Sequence, residues 1–584
     1  MLRYHVQPHH LKQHLWQVSL CFSQNHDHAF TLSLPNWVPG SYMIRDFARH
    51  IISIQASCNG QSQGLIQKSK NTWQATGDMG EWQVDYWVYA FDVSVRGAFL
   101  STERGFFDGA CLFLRHNQRA QEACLLAISN VPRDWDIATT LPVLDARKNI
   151  FQATNYRELI DHPVTMGNLL RLPFQAAGIE HEIIINGHFG DFDHGRLVED
   201  VQRICTTEIA LFDAPVPFER YRFLLFVGQN VYGGLEHGSS TALMADRHHL
   251  PQKNRPMDDG YISLLGLFSH EYFHAWNVKS IKPAAFADSD LNEEAYTRLL
   301  WAFEGITSYY DDLILARSGV ISHEQYLNLL AKTITRVQQG AGRTLQNLAD
   351  ASLTAWTKYY KQNENSPNAI VSYYQKGALA ALCLDMYIRR QSQNKMNLDV
   401  IMRALYQDWR IRHQGLAENE WLQIAEAATG MDLRIFQQRC IDSTSELPLV
   451  ALLTTAGVGL SWQALARDHG GAYVENTPNP VGAPADFGAR FKPASLGVTL
   501  SQVYSQGSAE QAGLCAGDCI IALNQEIITD FTQQWARVAV NDLVLIHFVR
   551  DGMLDQVEMQ AQAALPNTAL LHIQDHSKLA QWLA

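Results

Sequence analysis

The sequence predicts a multidomain α+β protein, in which a β-rich N-terminal region and a C-terminal region of short strands flank a largely helical middle region. Apolar and polar residues alternate in the first part, for example in Trp82–Phe91, and this alternation is typical of half-buried strands. From about residue 195 the apolar residues recur at helical spacing. For 584 residues, about three to five domains are expected. The changes in pattern divide the chain into 1–170, 171–450, a linker or extension over 451–484, and 485–584.

The middle region contains long stretches with the period of a helix. Apolar residues there repeat every three or four positions, which predicts helices with one buried face. The predicted helices lie around 261–279, 291–317, 323–339, 372–391 and 397–409.

A stretch rich in glycine and proline follows residue 450 and predicts a loop or linker. It includes Gly470-Gly471 and Pro478-Asn479-Pro480. The residues beyond it have the pattern of strands with one short helix.

Composition and charge limit the partners that we expect. Hydrophobic residues form 47% of the chain and charged residues 18%, as in ordinary globular proteins. The net charge of −13 repels phosphate backbones, so no nucleic acid partner is expected. Nine single cysteines suit a reducing compartment, and we find no signal segment or membrane span. We therefore expect a cytoplasmic protein without a membrane partner, and the sequence leaves its oligomeric state open.

A pair of histidines four residues apart is the sharpest local feature. His270 and His274 lie in a stretch of helical periodicity and enclose Glu271. On a helix, residues i and i+4 share one face, so both imidazoles can reach one Zn²⁺ while Glu271 contacts a water beside it. The alternative is a buried helix with two hydrogen-bonded core histidines.

A third ligand is expected from a second helix. Glu304 lies thirty residues beyond His274, among the apolar residues of Leu299–Tyr310. An unpaired carboxylate in such a setting costs several kcal/mol, and coordination to zinc removes that cost. Two histidines and one glutamate leave a fourth position open, as a catalytic zinc requires. The alternative is a glutamate on the exposed face of its helix.

These residues, with three further segments, resemble a known family. The segments are Trp37–Phe47, Tyr232-Gly233-Gly234-Leu235-Glu236-His237 and Ser372–Gly377. Together with His270-Glu271-x-x-His274 and Trp301-x-x-Glu304-Gly305, they are similar to the glycyl aminopeptidase family of gluzincin zinc metallopeptidases with a C-terminal PDZ domain. The resemblance implies a thermolysin-like catalytic domain with one zinc per chain. It also implies an aminopeptidase that prefers glycine or alanine as the first residue of a peptide substrate.

The resemblance also implies roles for single residues. Glu271 is the expected general base, and Glu236 is expected to pair with the α-ammonium of the substrate. Tyr374, from the Tyr-x-Lys-Gly element, is expected to donate a hydrogen bond to the oxyanion. Tyr373 is its competitor, and neighbouring side chains are expected to point apart.

Three residues beside Glu236 have two interpretations each. Gly233 and Gly234 let the backbone approach the substrate, or form a plain β-turn. His237 orients Glu236, or caps the loop.

The C-terminal segment is similar to a bacterial PDZ domain. Its Leu496-Gly497-Val498 would be the turn that receives the C-terminus of a peptide, while an exposed strand edge pairs with the peptide backbone. The alternative is a degenerate module that packs on the catalytic domain. For the whole chain, the alternatives to an aminopeptidase are a catalytically silent peptide-binding scaffold and a zinc endopeptidase.

Overall fold

Strands dominate the first 170 residues, as the alternating pattern predicts. The computed structural model describes residues 1–479 and 481–584, so Pro480 of the predicted linker lies outside the described residues. This region contains one short α-helix, α1 (Tyr156–Ile160). Its strands are β1 (Leu2–His10), β2 (Leu15–Gln24), β3 (Phe30–Ser33), β4 (Ile51–Cys58), β5 (Gln61–Gln63), β6 (Leu65–Gln67), β7 (Thr72–Ala75), β8 (Gly80–Tyr89), β9 (Ala98–Leu100), β10 (Arg104–Phe107), β11 (Arg115–His116), β12 (Cys124–Ile128), β13 (Asp136–Ala138), β14 (Val143–Asp145), β15 (Ile150–Ala153) and β16 (Val164–Gly167).

These strands form three sheets. The largest has the strand order β14-β15-β12-β1-β2-β8-β4-β5, and the two smaller ones have the orders β13-β16-β10-β9 and β11-β3-β7-β6. In β8 every second side chain from Trp82 to Val88 is buried, because successive residues of a strand point to opposite faces. The alternation seen in the sequence is therefore the burial pattern of a half-buried strand.

The chain forms two compact units. Unit 1 comprises residues 1–295 and 406–417, and unit 2 comprises residues 296–405 and 418–584.

Unit 1 contains a fourth sheet, which the helical pattern of the middle region did not predict. Its strands are β17 (Leu170–Ala176), β18 (Ile179–Gly187), β19 (Arg220–Gly228), β20 (Gly233–Glu236) and β21 (Ser240–Asp246), in the order β17-β18-β19-β21-β20. β18, β19 and β21 are parallel, and β20 is an antiparallel edge strand. Buried parallel strands lack alternation, so the sequence pattern did not separate them from helices. The helices of this part are α2 (His194–Phe212), α3 (Asp259–Phe273) and α4 (Ala284–Ala287).

Unit 2 begins with helices, as predicted. They are α5 (Ile306–Arg317), α6 (His323–Gln339), α7 (Leu348–Leu353), α8 (Ser366–Ala369), α9 (Gln375–Ser392), α10 (Asp399–Arg412, of which the last residues belong to unit 1), α11 (Glu420–Thr429), α12 (Arg434–Phe436) and α13 (Leu449–Leu453). The start of α6 follows from a capping box, in which Ser322 and Gln325 bond each other's backbone N–H.

Two backbones meet closely in unit 2. Residues Trp301–Gly305 form a π-helical turn directly before α5. A Cβ added to Gly377 of α9 would lie 2.8 Å from the Cα of Gly305, closer than real Cβ atoms approach. The helix that carries Glu304 and the helix that follows Tyr374 therefore cross at two glycines.

The C-terminal part of unit 2 is built of strands and short helices. The strands are β22 (Val458–Gln463), β23 (Ala472–Tyr473), β24 (Ala485–Asp486), β25 (Ala489–Pro493), β26 (Val498–Val503), β27 (Cys519–Leu523), β28 (Glu526–Ile527), β29 (Leu543–Arg550), β30 (Met553–Gln560), β31 (Gln562–Ala563) and β32 (Thr568–Ile573). The helices are α14 (Ser508–Gln511), α15 (Phe531–Trp535) and α16 (His576–Leu583), where the sequence predicted one.

The main C-terminal sheet has the order β25-β26-β27-β29-β30, with β28 paired to β27. Its core includes Phe487, Ile520 and Phe531. The predicted linker contributes β22, which pairs with β32. In the sequence, β22 precedes all strands of the main C-terminal sheet and β32 follows them. Residues 451–484 are therefore an extension that takes part in a sheet, and not a plain linker.

Two general predictions concern the whole chain. Among the residues described, none of the helices is both long and apolar enough to cross a membrane. All nine cysteines have free thiols.

Candidate active site

The histidine pair lies at the end of α3. The helix starts where the Asp258 side chain accepts the backbone N–H of Tyr261 at 2.8 Å, an N-cap. It ends at Phe273, earlier than predicted, and His274 follows in helical conformation. The Nε2 atoms of His270 and His274 are 3.1 Å apart. The i, i+4 spacing thus brings both rings to one point, as the sequence predicts.

The tautomer of His274 follows from its backbone contact. Its Nδ1 donates a hydrogen bond to the carbonyl of Asn277 at 2.8 Å, since a carbonyl oxygen only accepts. In a neutral ring, Nε2 then carries the lone pair, and this is the arrangement that orients a metal-binding histidine.

Glu271 lies beside the pair, on the backbone of β20. Its side chain is buried (5% exposed), and Oε2 has no hydrogen-bond partner among residues 1–479 and 481–584. A Cβ at Gly234 would lie 2.0 Å from Oε1 of Glu271, so any side chain there would displace the carboxylate. Burial raises the pKa of Glu271, although His270 and His274 oppose the shift. Arg96 donates to the Gly234 carbonyl at 2.8 Å and so holds the strand at this glycine.

Glu236 ends the same edge strand. It is buried, and its carboxylate lies against Gly40, where a Cβ would be 2.5 Å from Oε1. Gly40 has a φ of +95°, which glycine adopts without strain. Glu236, Glu271 and His274 place ligand atoms within 4.8 Å of one another.

The structure decides one of the open interpretations. Gly233 and Gly234 belong to β20, so they do not form a plain turn.

His237 is buried and belongs to a network of charges that is partly exposed. Its Nδ1 lies 3.3 Å from Oδ1 of Asp161 and its Nε2 lies 3.8 Å from Asp108. Lys279 donates to Asp161 at 2.6 Å, and the backbone N–H of Gly238 donates to the same carboxylate at 3.0 Å. The imidazole therefore holds the end of β20 through Asp161, next to Glu236.

Burial and pairing shift the pKa values of the two carboxyl groups of this network, Asp108 and Asp161, in opposite directions. Burial raises the pKa of Asp108 to about 6. Burial also tends to raise the pKa of Asp161, but Lys279 and His237 outweigh it and the pKa is lowered. Asp161 is thus ionised at neutral pH. Sequence reasoning did not find Lys279 or Arg96, because no local pattern marks these long-range contacts.

In unit 2, Glu304 lies in the π-helical turn before α5. Its side chain is 2% exposed, so the alternative of a solvent-facing glutamate is wrong. The nearby Tyr359 and Tyr373 have raised pKa values, mainly through burial and in part through the charge of Glu304. An unusual turn type at a buried carboxylate often marks a functional position.

Tyr374 stands at the start of α9, in a cluster of tyrosines. The rings of Tyr373 and Tyr374 stack with centroids 4.8 Å apart, so the expectation that they point apart is wrong. Tyr373 is fully buried, whereas Tyr374 is partly exposed and its hydroxyl lies 3.5 Å from that of Tyr360. The accessible hydroxyl of the two belongs to Tyr374.

Leu496, Gly497 and Val498 lie where the chain turns from β25 into β26. The N–H of Ala494 bonds the Gly497 carbonyl at 3.2 Å, and Leu496 is half exposed.

Family profiles match two parts of the chain. The Peptidase M61 N-terminal domain matches residues 3–168, and the M61 glycyl aminopeptidase domain matches residues 263–380. The second match contains both histidines, Glu271, Glu304 and Tyr374.

Solved and curated proteins extend the comparison. A crystal structure of an aminopeptidase N family protein from Idiomarina loihiensis is 39% identical, covers 100% of both chains and has a TM-score of 0.96. An M1 zinc metallopeptidase from Deinococcus radiodurans is 14% identical, with a TM-score of 0.47 over 77% of this chain and 94% of its own. A protein of Haemophilus influenzae named "Probable periplasmic serine protease do/HhoA-like" is 35% identical over 83 residues, which are 14% of this chain and only 18% of that protein.

Full-length similarity to the Idiomarina protein is the strongest of these relationships, and it agrees with both profile matches. The chain therefore belongs to the aminopeptidase N family of that protein, with the two domains of the M61 peptidases.

Proposed function

We propose that the protein is a zinc-dependent aminopeptidase that hydrolyses the N-terminal peptide bond of peptides, with a preference for glycine or alanine as the first residue. The observation that carries the proposal is the arrangement in unit 1. Two imidazole Nε2 atoms 3.1 Å apart adjoin a buried Glu271 with an unbonded oxygen, and Glu236 lies close by.

His270, His274 and Glu304 would hold one zinc ion per chain. The donor set fits, because Nε2 of His274 carries a lone pair and Glu304 brings a buried carboxylate, the two kinds of ligand that zinc accepts. When bound, zinc would polarise the scissile carbonyl and lower the pKa of a water toward about 7.

Glu271 would act as the general base. It would accept a proton from the attacking water and deliver it to the nitrogen of the leaving amine. The backbone of Gly234 fixes its carboxylate, and its buried oxygen without a partner is available for the water. An intact base in this position argues against the silent scaffold.

Glu236 would bind the α-ammonium of the substrate. Its place on the edge strand beside Glu271 would set the distance between the amino terminus of the substrate and the carbonyl that reacts. Such an anchor excludes internal peptide bonds, because these carry no charged amine.

Tyr374 would donate its hydroxyl hydrogen to the developing negative charge on the carbonyl oxygen. Its partly exposed ring supports this role better than the buried ring of Tyr373.

A panel of aminoacyl reporter substrates with one leaving group tests the proposal. We expect hydrolysis of the Gly and Ala reporters, loss of activity with a chelator, and recovery with zinc. Glu271→Gln should retain about one zinc per chain and lose most turnover, about 10²-fold or more. Activity that resists chelation, or an unchanged rate in Glu271→Gln, would contradict the mechanism.

We also propose that residues 485–584 form a PDZ domain that binds a peptide C-terminus. The support is the edge strand β25, which borders a groove of about 1190 Å³ in unit 2. Aromatic residues line the groove, namely Phe487, Phe491, Phe531 and Trp535. The turn of Leu496–Val498 does not belong to this lining. An extended peptide could add to β25 through its backbone.

Phe491→Glu tests this docking site without removing a strand. The Phe491 and Phe531 rings are 4.5 Å apart, so a charge there should weaken the binding of C-terminal peptides. We expect the variant to lose affinity in a fluorescence titration while it hydrolyses short reporters normally. Equal affinity in both proteins would exclude this groove.

Finally, we propose a cytoplasmic location. The free thiols of all nine cysteines support it, because a reducing compartment keeps thiols unpaired. Fractionation of cells that express the full chain tests it.

A further inference from the structure

A cavity of about 360 Å³ adjoins Glu236 within unit 1. We call it the side cavity. Trp37, Tyr42 and Phe286 form apolar parts of its wall, and Glu236 lies at its border. A cavity of this size has much more room than the side chain of alanine needs. The space beside the proposed ammonium site is therefore larger than a preference for glycine or alanine requires.

Three basic side chains line the side cavity, and they differ in their partners. Lys279 is paired with Asp161 at 2.6 Å. Lys282 also lines the cavity, and it has no carboxylate within 4 Å in the part of the chain that the structure describes. Its pKa is lowered to about 8, first by burial and then by the neighbouring charge of Lys279. A partly buried ammonium in this situation gains from an anionic partner.

Arg157 is the third basic residue. Its Nη2 donates to the Ser289 carbonyl at 2.6 Å, and within residues 1–479 and 481–584 it forms no ion pair either. The same wall also carries the acidic Glu158, whose carboxylate accepts the backbone N–H of Thr154 at 2.6 Å. The side cavity thus combines a carboxylate for an ammonium group with two cations that form no direct ion pair among the described residues. The charges of Asp161 and Asp288 act on Lys282 and Arg157 from a longer distance.

We propose that the side cavity receives the side chain of the first substrate residue, and that Lys282 and Arg157 bind a carboxylate there. Peptides that begin with aspartate or glutamate are then a second substrate class beside those that begin with glycine or alanine. This inference rests on the proposed function. The α-ammonium of the substrate is bound by Glu236. The anionic group that reaches Lys282 and Arg157 therefore belongs to the side chain of the first substrate residue.

The same cations would exclude basic first residues. A lysine or arginine side chain that entered the cavity beside Lys282 and Arg157 would be repelled by their like charges, which disfavours binding. The expected order of reporters is therefore glutamate over glutamine, with lysine and arginine last.

The first test compares reporters that differ only in the first residue. In the wild-type protein, kcat/KM for the Glu reporter should exceed that for the Gln reporter by about tenfold or more, because a charge-assisted hydrogen bond is about twice as strong as a neutral one. In Lys282→Met this Glu-to-Gln ratio should fall toward one, and Lys282→Arg should restore part of it. Exposed Lys12→Met is the matched control and should keep the wild-type ratio.

The second test measures binding without turnover. L-glutamate should raise the melting temperature of the wild-type protein more than L-glutamine does, and Lys282→Met should abolish the difference. If the Ala reporter is hydrolysed in a chelator-sensitive way but Glu is no better than Gln, the side-cavity assignment is overturned and the proposed function stands. If no reporter is hydrolysed, the proposed function fails, and equal thermal shifts with both amino acids would then overturn the cavity assignment as well.

Discussion

Lys279 and Asp161 form a short ion pair across 118 positions of sequence, with 2.6 Å between Nζ and Oδ1. Asp161 also accepts the N–H of Gly238 and lies next to His237. The pair therefore ties the segment after α3 to the segment that follows Glu236, and it fixes the position of the proposed ammonium ligand.

Breaking this pair should destabilise unit 1. Lys279→Met leaves the Asp161 carboxylate without its strongest partner, and we expect a loss of about 3 kcal/mol in the free energy of unfolding. The double variant Lys279→Met, Asp161→Asn should lose less than the sum of the single variants. Urea unfolding measures the free energy of unfolding of the single and double variants. Strictly additive losses would show that the two side chains do not stabilise each other.

Removing the proposed ammonium ligand should affect one substrate class. For Glu236→Ala we expect kcat/KM to fall about 10²-fold on reporters with a free amine, because a charge-assisted contact is lost. N-acetylated reporters, which are poor substrates, should change little. The exposed Glu364→Ala serves as control. A similar loss on both substrate types would remove Glu236 from amine recognition and favour an endopeptidase.

A methyl group on Gly234 should disturb the general base. Gly234→Ala places its Cβ within 2.0 Å of the Glu271 carboxylate, so the carboxylate must move. We expect turnover to fall about 10²-fold, with the zinc content unchanged. Gly190→Ala, where a Cβ meets nothing within 4 Å, is the matched control. Full activity in Gly234→Ala would mean that Glu271 tolerates displacement.

The contact between Gly305 and Gly377 should not accept a side chain. In Gly377→Ala the new Cβ lies 2.8 Å from Gly305 and 3.2 Å from the Trp301 carbonyl oxygen. We expect an overpacking cost of about 1–3 kcal/mol and reduced turnover, because the helices that carry Glu304 and follow Tyr374 must separate. Gly64→Ala, in open space, should change neither quantity. Thermal unfolding measures the loss of stability, and reporter assays measure the turnover of both variants.

His116 should make the protein sensitive to mild acid. The ring is 1% exposed and stacks on Phe30, and burial lowers its pKa from 6.5 to about 4. Because the folded-state pKa is the lower one, the unfolded chain binds the proton first. The free energy of unfolding should then decrease as the pH falls from about 6.5 to about 4, by about 2 kcal/mol between pH 7 and pH 5.

His116→Phe should lack this part of the pH dependence, and exposed His10→Phe should keep it. Urea unfolding at the two pH values gives the comparison. An equal decrease in His116→Phe and the wild-type protein would contradict the assignment.

Local patterns predicted the parts of the fold that depend on neighbouring residues. Alternation predicted the burial of β8, and helical spacing placed His270 and His274 on one face of α3. The buried parallel strand β19 was missed, since its apolar run fits a strand or a helix equally well. The contact of Gly40 with Glu236 was missed for another reason: it joins residues 196 positions apart, and no local pattern encodes it. Stacking of Tyr373 on Tyr374 likewise depends on the surrounding tyrosines.

The pairing of β22 with β32 means that this sheet can form only late in the synthesis of the chain. The strand at Val458–Gln463 is made more than a hundred residues before its partner at Thr568–Ile573. The N–H of Ala569 also bonds the Thr335 hydroxyl of α6 at 2.9 Å, and the indole of Trp582 bonds Tyr309 of α5 at 3.2 Å. While the ribosome is still translating this region, α5 and α6 have an uncovered surface. That surface stays open to water until the last strand and helix have emerged.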